Sequence, residues 1–180
     1  MILLVIDVQK ALICDELYNC KPFVNKVSKL IKVARQNEVE IIYVQHDAGQ
    51  GSGFSYGDEG FEISTQFSPL NDEKVFVKTI NSCFGNEEFT NYLKQSGEKT
   101  IMIVGLQTDF CIDATIKSAF ERGYQVIVPN GTNSTFSNNV IDGKTTYQLF
   151  NKWIWPDTFA KCVSMDEALK LLKGKGENQL

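Results

Sequence analysis

Residues 101–111 read Ile101-Met102-Ile103-Val104-Gly105-Leu106-Gln107-Thr108-Asp109-Phe110-Cys111. The apolar, largely β-branched start of this stretch has the pattern of a strand buried on both faces. It breaks at Gly105, turns through Gln107, Thr108 and Asp109, and enters a segment of helical period, Asp109 to Arg122, that Gly123 closes. Strand, short turn and helix in that order form half of a βαβ unit and point to a parallel sheet. The same stretch delivers a thiol to a helix start, where unpaired backbone N–H groups and the helix dipole favour the thiolate, the reactive form of cysteine.

The pattern repeats on either side. Further strands are predicted at Ile2 to Ile6, Glu40 to Gln45, Lys74 to Val77, Gln125 to Val128 and Ala160 to Val163, with the quoted one running from Thr100 to Val104. Between them, Pro22 to Arg35 places Phe23, Val27, Leu30, Ile31 and Ala34 on one helical face, and Asn86 to Gln95 and Met165 to Leu172 also carry helical period. The expectation is an α/β protein, a three-layer α/β/α sandwich around a six-stranded, mainly parallel, Rossmann-like sheet. At 180 residues the chain has the size of one domain, 1–180, with residues 174–180 read as a flexible tail.

Three apolar runs end at or near a chemically interesting side chain: Asp7 after the first, Lys78 after the third and Cys111 after the fourth. Ligands of open parallel sheets bind beyond the carboxyl ends of the strands, so these three residues converge there. A strand-end aspartate often only orients a loop, and an isolated lysine is usually solvated. A carboxylate directly after a wholly apolar strand is costly unless paired, and Lys78 offers the partner.

The segments Leu3-Leu4-Val5-Ile6-Asp7-Val8-Gln9, Val77-Lys78, Ser82-Cys83-Phe84-Gly85, Val104 to Cys111 and Gly123-Tyr124-Gln125-Val126, in this order and spacing, resemble the isochorismatase-like cysteine hydrolases, the superfamily of nicotinamidases and N-carbamoylsarcosine amidases. The resemblance covers nearly the whole chain. It implies a triad in which Asp7 takes the proton of Cys111, Lys78 stabilises the charge, and the thiolate attacks a carbonyl carbon. It also implies an oxyanion hole from the backbone N–H groups of Gln107 and Cys111, and a cis peptide between Leu106 and Gln107. Gln9, Phe54, Phe84 and Phe110 are candidates for substrate contact, although the aromatic residues are core candidates first. Cys83 is expected to line the pocket rather than to act. The implied activity is cleavage of the C–N bond of a small amide or carbamoyl-type substrate through a thioester, in a homodimer or higher homo-oligomer. A nicotinamidase-like activity and a non-catalytic, redox-sensing Cys111 are the alternatives.

His46, the single histidine, stands in Gln45-His46-Asp47-Ala48. One imidazole beside one carboxylate makes a poor first-row metal site, so His46 is read as a histidine hydrogen-bonded at a strand end, and neither metal nor other cofactor is expected. Five irregularly spaced cysteines without a Cys-x-x-Cys pair fit reduced thiols. A net charge of −4 argues against nucleic-acid binding, no run approaches membrane-spanning length, and the apolar start lacks a basic leader, which together suggest a cytoplasmic protein. The glycine-rich Gly49 to Phe54 lacks dinucleotide-binding spacing and is read as a surface loop, which the family resemblance implies lies near the site mouth.

Overall fold

A computed structural model describes residues 1–174. Seven parallel strands form one sheet: β1 (Ile2–Ile6), β2 (Glu40–His46), β3 (Lys74–Lys78), β4 (Thr100–Leu106), β5 (Gln125–Pro129), β6 (Asn133–Ser134) and β7 (Lys161–Val163). They lie in the order β3-β2-β1-β4-β5-β7, with the two-residue β6 paired to the end of β4. Six strands agree with the sequence pattern to within a residue or two. The seventh, β6, is two polar residues and has no hydrophobic period to reveal it.

Five α-helices cover the sheet: α1 (Cys20–Gln36), α2 (Glu87–Ser96), α3 (Asp113–Glu121), α4 (Gly143–Leu149) and α5 (Met165–Leu172). Alternate residues of β1 face opposite ways. Ile2, Leu4 and Ile6 join a core with Phe89 and Leu93 of α2 and Ile116 and Ala119 of α3. Leu3 and Val5 join the other core, with Phe23, Val27 and Leu30 of α1 and Ala168 and Leu172 of α5. The strand is therefore buried on both faces, as its uninterrupted apolar run requires. Side-chain caps set helix starts: Asn86 accepts from the Phe89 N–H, Asp142 from that of Thr145 and Ser164 from that of Glu167. Among the described residues no helix is long and apolar enough to cross a membrane. The predicted tail lies, apart from Gly174, outside the described residues.

From β1 the strand order runs one way to β2 and β3 and the other way to β4 and β5. The crevice where that direction reverses opens between the carboxyl ends of β1 and β4. Their backbones approach very closely there. Gly105, paired with Ile6, has φ +127°, and a Cβ on it would stand 2.0 Å from the Ile6 carbonyl oxygen. Only glycine fits that position.

Candidate active site

Asp7 follows β1 in the left-handed region, φ 52°, with its N–H donating to the Val44 carbonyl at 2.8 Å. A non-glycine residue held there is strained, and such strain is characteristic of functional sites. The carboxyl group is buried, as is the Lys78 side chain, which closes β3. Lys78 Nζ donates to Asp7 Oδ2 at 2.8 Å and to Cys111 Sγ at 3.1 Å, and lies 3.1 Å from His46 Nδ1. An ammonium has three N–H groups and no lone pair, so all three protons are placed and Nδ1 must be the acceptor. His46 is thus the neutral tautomer protonated on Nε2.

Cys111 sits in a π-helical turn, Thr108–Ile112, that leads into α3. The N–H groups of Phe110 and Ile112 both donate to the Gln107 carbonyl, at 3.2 and 3.1 Å. The peptide between Leu106 and Gln107 is cis. Buried polar contacts hold this turn from behind. Thr108 donates to Asn133 Oδ1 at 2.7 Å, Asn133 Nδ2 donates to Asn151 Oδ1 at 2.9 Å, and Asn151 Nδ2 donates back to Asn133 Oδ1 and to the Tyr147 carbonyl. Beside them Thr135 donates to the Asp109 carboxylate at 2.5 Å.

Burial acts on each ionisable group. It pushes the Cys111 thiol up to about 12, the negative charge of Asp7 adds to that, and Lys78 pulls the other way without prevailing. Burial likewise raises Asp7 above the ordinary carboxylate range, with Lys78 opposing. It opposes the Lys78 charge, but Asp7 and then Cys111 outweigh it and the lysine is raised. His46 is lowered, by burial first and by Lys78 second. The helix-start reading of a depressed thiol pKa is not supported: burial and the carboxylate beside it raise the Cys111 pKa against the pull of Lys78. Asp7 Oδ1 is buried without a donor of ordinary hydrogen-bond geometry among the described residues, and the Cys111 thiol is the group that can turn to it.

A cavity of about 170 Å³ opens over this cluster. Asp7, His46, Asn81, Gln107 and Cys111 supply its polar lining; Leu12, Phe54 and Phe110 supply its apolar walls. Phe54 and Phe110 therefore lie where substrate contact was expected. Two other candidates do not. Phe84 is buried against Phe89 and Tyr124, with the Arg122 guanidinium 4.8 Å from its ring centre, because the short turn Cys83–Gly85 directs it into the core. Gln9 uses its whole amide structurally: Nε2 donates to the His46 and Phe61 carbonyls, and Oε1 accepts the His46 N–H at 2.8 Å. It positions β2 and the loop above the site. Cys83 is fully buried beside Thr115 and is absent from the cavity lining.

Sequence reasoning missed three contributors. His46 ends β2 next to Lys78, and the parallel register that pairs them was the usable signal. Asn81, whose Oδ1 is 3.7 Å from Cys111 Sγ, follows Lys78 by three residues, and Leu12 has no distinguishing pattern. Asp7, His46 and Cys111 also bring three metal-type ligand atoms within 4.8 Å of one another. The donor set nevertheless does not fit a divalent ion, because the Lys78 ammonium is bonded to all three and already supplies the positive charge.

The model of the isochorismatase domain matches residues 1–142, which contain β1 to β6 and every residue of the cluster. The chain belongs to the isochorismatase family. The uncharacterised isochorismatase family protein YrdC of Bacillus subtilis is 27% identical over 175 residues, 93% of each chain. Streptothricin hydrolase of Streptomyces noursei is 25% identical over 74% of this chain and 54% of its own length. A crystal structure of an isochorismatase family protein superposes with a TM-score of 0.82 at 28% identity, covering 91% of this chain and 97% of the other. The chain is thus an isochorismatase-family hydrolase.

Proposed function

We propose that this protein is a single-domain, metal-independent cysteine amidohydrolase that cleaves the C–N bond of a small amide or carbamoyl-type substrate. The observation that carries the reading is the buried Asp7 carboxylate beside the Cys111 thiol, the two sharing one ammonium. A thiol resting near pKa 12 is a poor nucleophile alone, so it needs a base that acts as it attacks. Asp7 takes the thiol proton while Cys111 Sγ bonds to the substrate carbonyl carbon. Lys78 then faces a thiolate-derived sulfur and a protonated carboxyl, and its charge limits the cost of that exchange in a buried site.

The tetrahedral oxyanion is held by the backbone N–H groups of Gln107 and Cys111. Collapse breaks the C–N bond, Asp7 returns its proton to the departing nitrogen, and ammonia or an amine leaves a thioester on Cys111. Water then adds to the thioester carbonyl, giving its proton to Asp7. Collapse expels Cys111, which recovers the proton, and the acid departs. Redox sensing is disfavoured because a sensor needs no leaving-group acid, whereas Asp7 stands beside Cys111 in position to be one. The resemblance further supports a cytoplasmic homodimer or higher homo-oligomer, and Trp153, 79% exposed beside α4, offers surface for self-association.

The test is incubation with a panel of small amides, nicotinamide and carbamoyl compounds included, followed by rapid acid quench and mass spectrometry. An acyl adduct confined to Cys111, formed as ammonia or amine appears, is expected. Turnover that continues in Cys111→Ser would overturn the mechanism.

A further inference from the structure

The cavity's charge, rather than its shape, separates one class of substrate from another. Among the described residues the cation at the cavity is Lys78, and the three N–H groups of that ammonium are committed to Asp7, His46 and Cys111, leaving none to meet an incoming anion. The remaining wall is neutral or apolar apart from Asp7 itself. The segment 47–62, which supplies Phe54 to the cavity wall, carries Asp47, Asp58, Glu59 and Glu62 and contains no lysine or arginine. Lys10 neutralises Glu62 and leans towards Glu59, while Asp47 and Asp58 accept from Ser55 and backbone N–H groups and have no salt-bridge partner among the described residues.

We propose that the site admits small amides whose acyl part is uncharged or cationic and excludes those carrying an anionic group. The inference rests on the amidase reading for the word amide, but its charge argument stands on the cavity alone. A carboxylate entering here would lose its hydration, find no free cationic donor, and face the Asp7 carboxylate across a few ångströms. The volume, about 170 Å³, holds about five or six water-sized groups, so an anionic group that lies inside the cavity stands close to Asp7.

The test uses three methanethiosulfonates that carry the same reactive sulfur and differ only in the distal group: 2-hydroxyethyl, 2-ammonioethyl and 2-sulfonatoethyl. The rate of disulfide formation at Cys111 is read by mass spectrometry and divided by the rate with 2-mercaptoethanol under the same conditions. The sulfonate reagent is expected at least about tenfold behind the hydroxyethyl reagent, with the ammonium reagent equal to or ahead of it. In 1 M salt, where screening reaches to about 3 Å, the part due to the outer loop should fade and the part due to the buried cluster should persist. Leu12→Lys, which adds a cation to an apolar wall, should narrow the gap. A sulfonate reagent as fast as the neutral one, or a gap unmoved in folded Leu12→Lys protein, overturns the inference. A protein that shows the charge order but hydrolyses no amide overturns the amidase reading instead and leaves the charge selection standing.

Discussion

Lys78 has three protons and three acceptors, and the properties of the site at the scale of single residues follow from that match. Removing it as Lys78→Ala takes away the charge that lowers the Cys111 pKa, so the pH profile of Cys111 alkylation should move to higher pH than in the wild type. Lys78→Arg keeps the charge and should restore alkylation more than turnover, because a planar guanidinium cannot reproduce the three diverging bonds. An alanine variant with the wild-type profile would show that Lys78 does not act on the nucleophile. The alanine variant also leaves a buried carboxylate without its partner, which should cost about 3–5 kcal/mol of stability by urea unfolding near neutral pH. His46 offers a direct probe, since the chain has one histidine and its imidazole resonances need no assignment. Burial and Lys78 lower its pKa while Asp7 raises it, so it should titrate below 6.5 in the wild type, higher in Lys78→Met, and lower still in Asp7→Asn. Titration above 6.5 in the wild type would mean that Nδ1 does not face the ammonium.

Between elements, the crevice exists because β1 and β4 close on one another at Gly105. Gly105→Ala combines a left-handed backbone with a methyl group 2.0 Å from the Ile6 carbonyl oxygen, so β4 must separate from β1. A loss of at least about 2 kcal/mol in unfolding free energy is expected, with Asp7 and Cys111 drawn apart and activity lost in protein that still folds. A variant with wild-type stability would contradict the close approach. The uninterrupted apolar strands, the helical faces of α1 and α5, and the order of Asp7, Lys78 and Cys111 were all legible in the sequence, because burial on two faces and strand-end placement leave marks in one short window. What was not legible depends on distant residues meeting. α4 has a short period and an Asp142 cap that only the structure separates from the surrounding loop. The π-turn at Cys111 is held by Asn133 and Asn151, and Gln9 acts through His46 and Phe61 backbone groups well away from it along the chain. Phe84 could face core or cavity from its sequence alone, and the turn before α2 decided for the core.

The whole fold brings together residues 7, 46, 78 and 111, each from the end of a different element, and one consequence concerns metals. Asp7, His46 and Cys111 have the chemistry of a zinc site, and their ligand atoms are close enough for one ion. In the wild type the Lys78 ammonium holds all three, and a divalent ion would have to displace a charged group that the buried carboxylate stabilises. Activity should therefore survive prolonged dialysis against a chelator. Lys78→Met removes the ammonium while keeping most of the side-chain volume, which frees Asp7, His46 and Cys111 to act as three protein ligands with an open fourth position. That variant should bind one zinc per chain and, when given cobalt, show the intense near-ultraviolet absorption of a thiolate bound to the metal. The wild type should do neither at the same metal concentration. Stoichiometric metal in active wild-type protein, with activity lost on its removal, would refute the reading of Lys78 as the resident cation of the site.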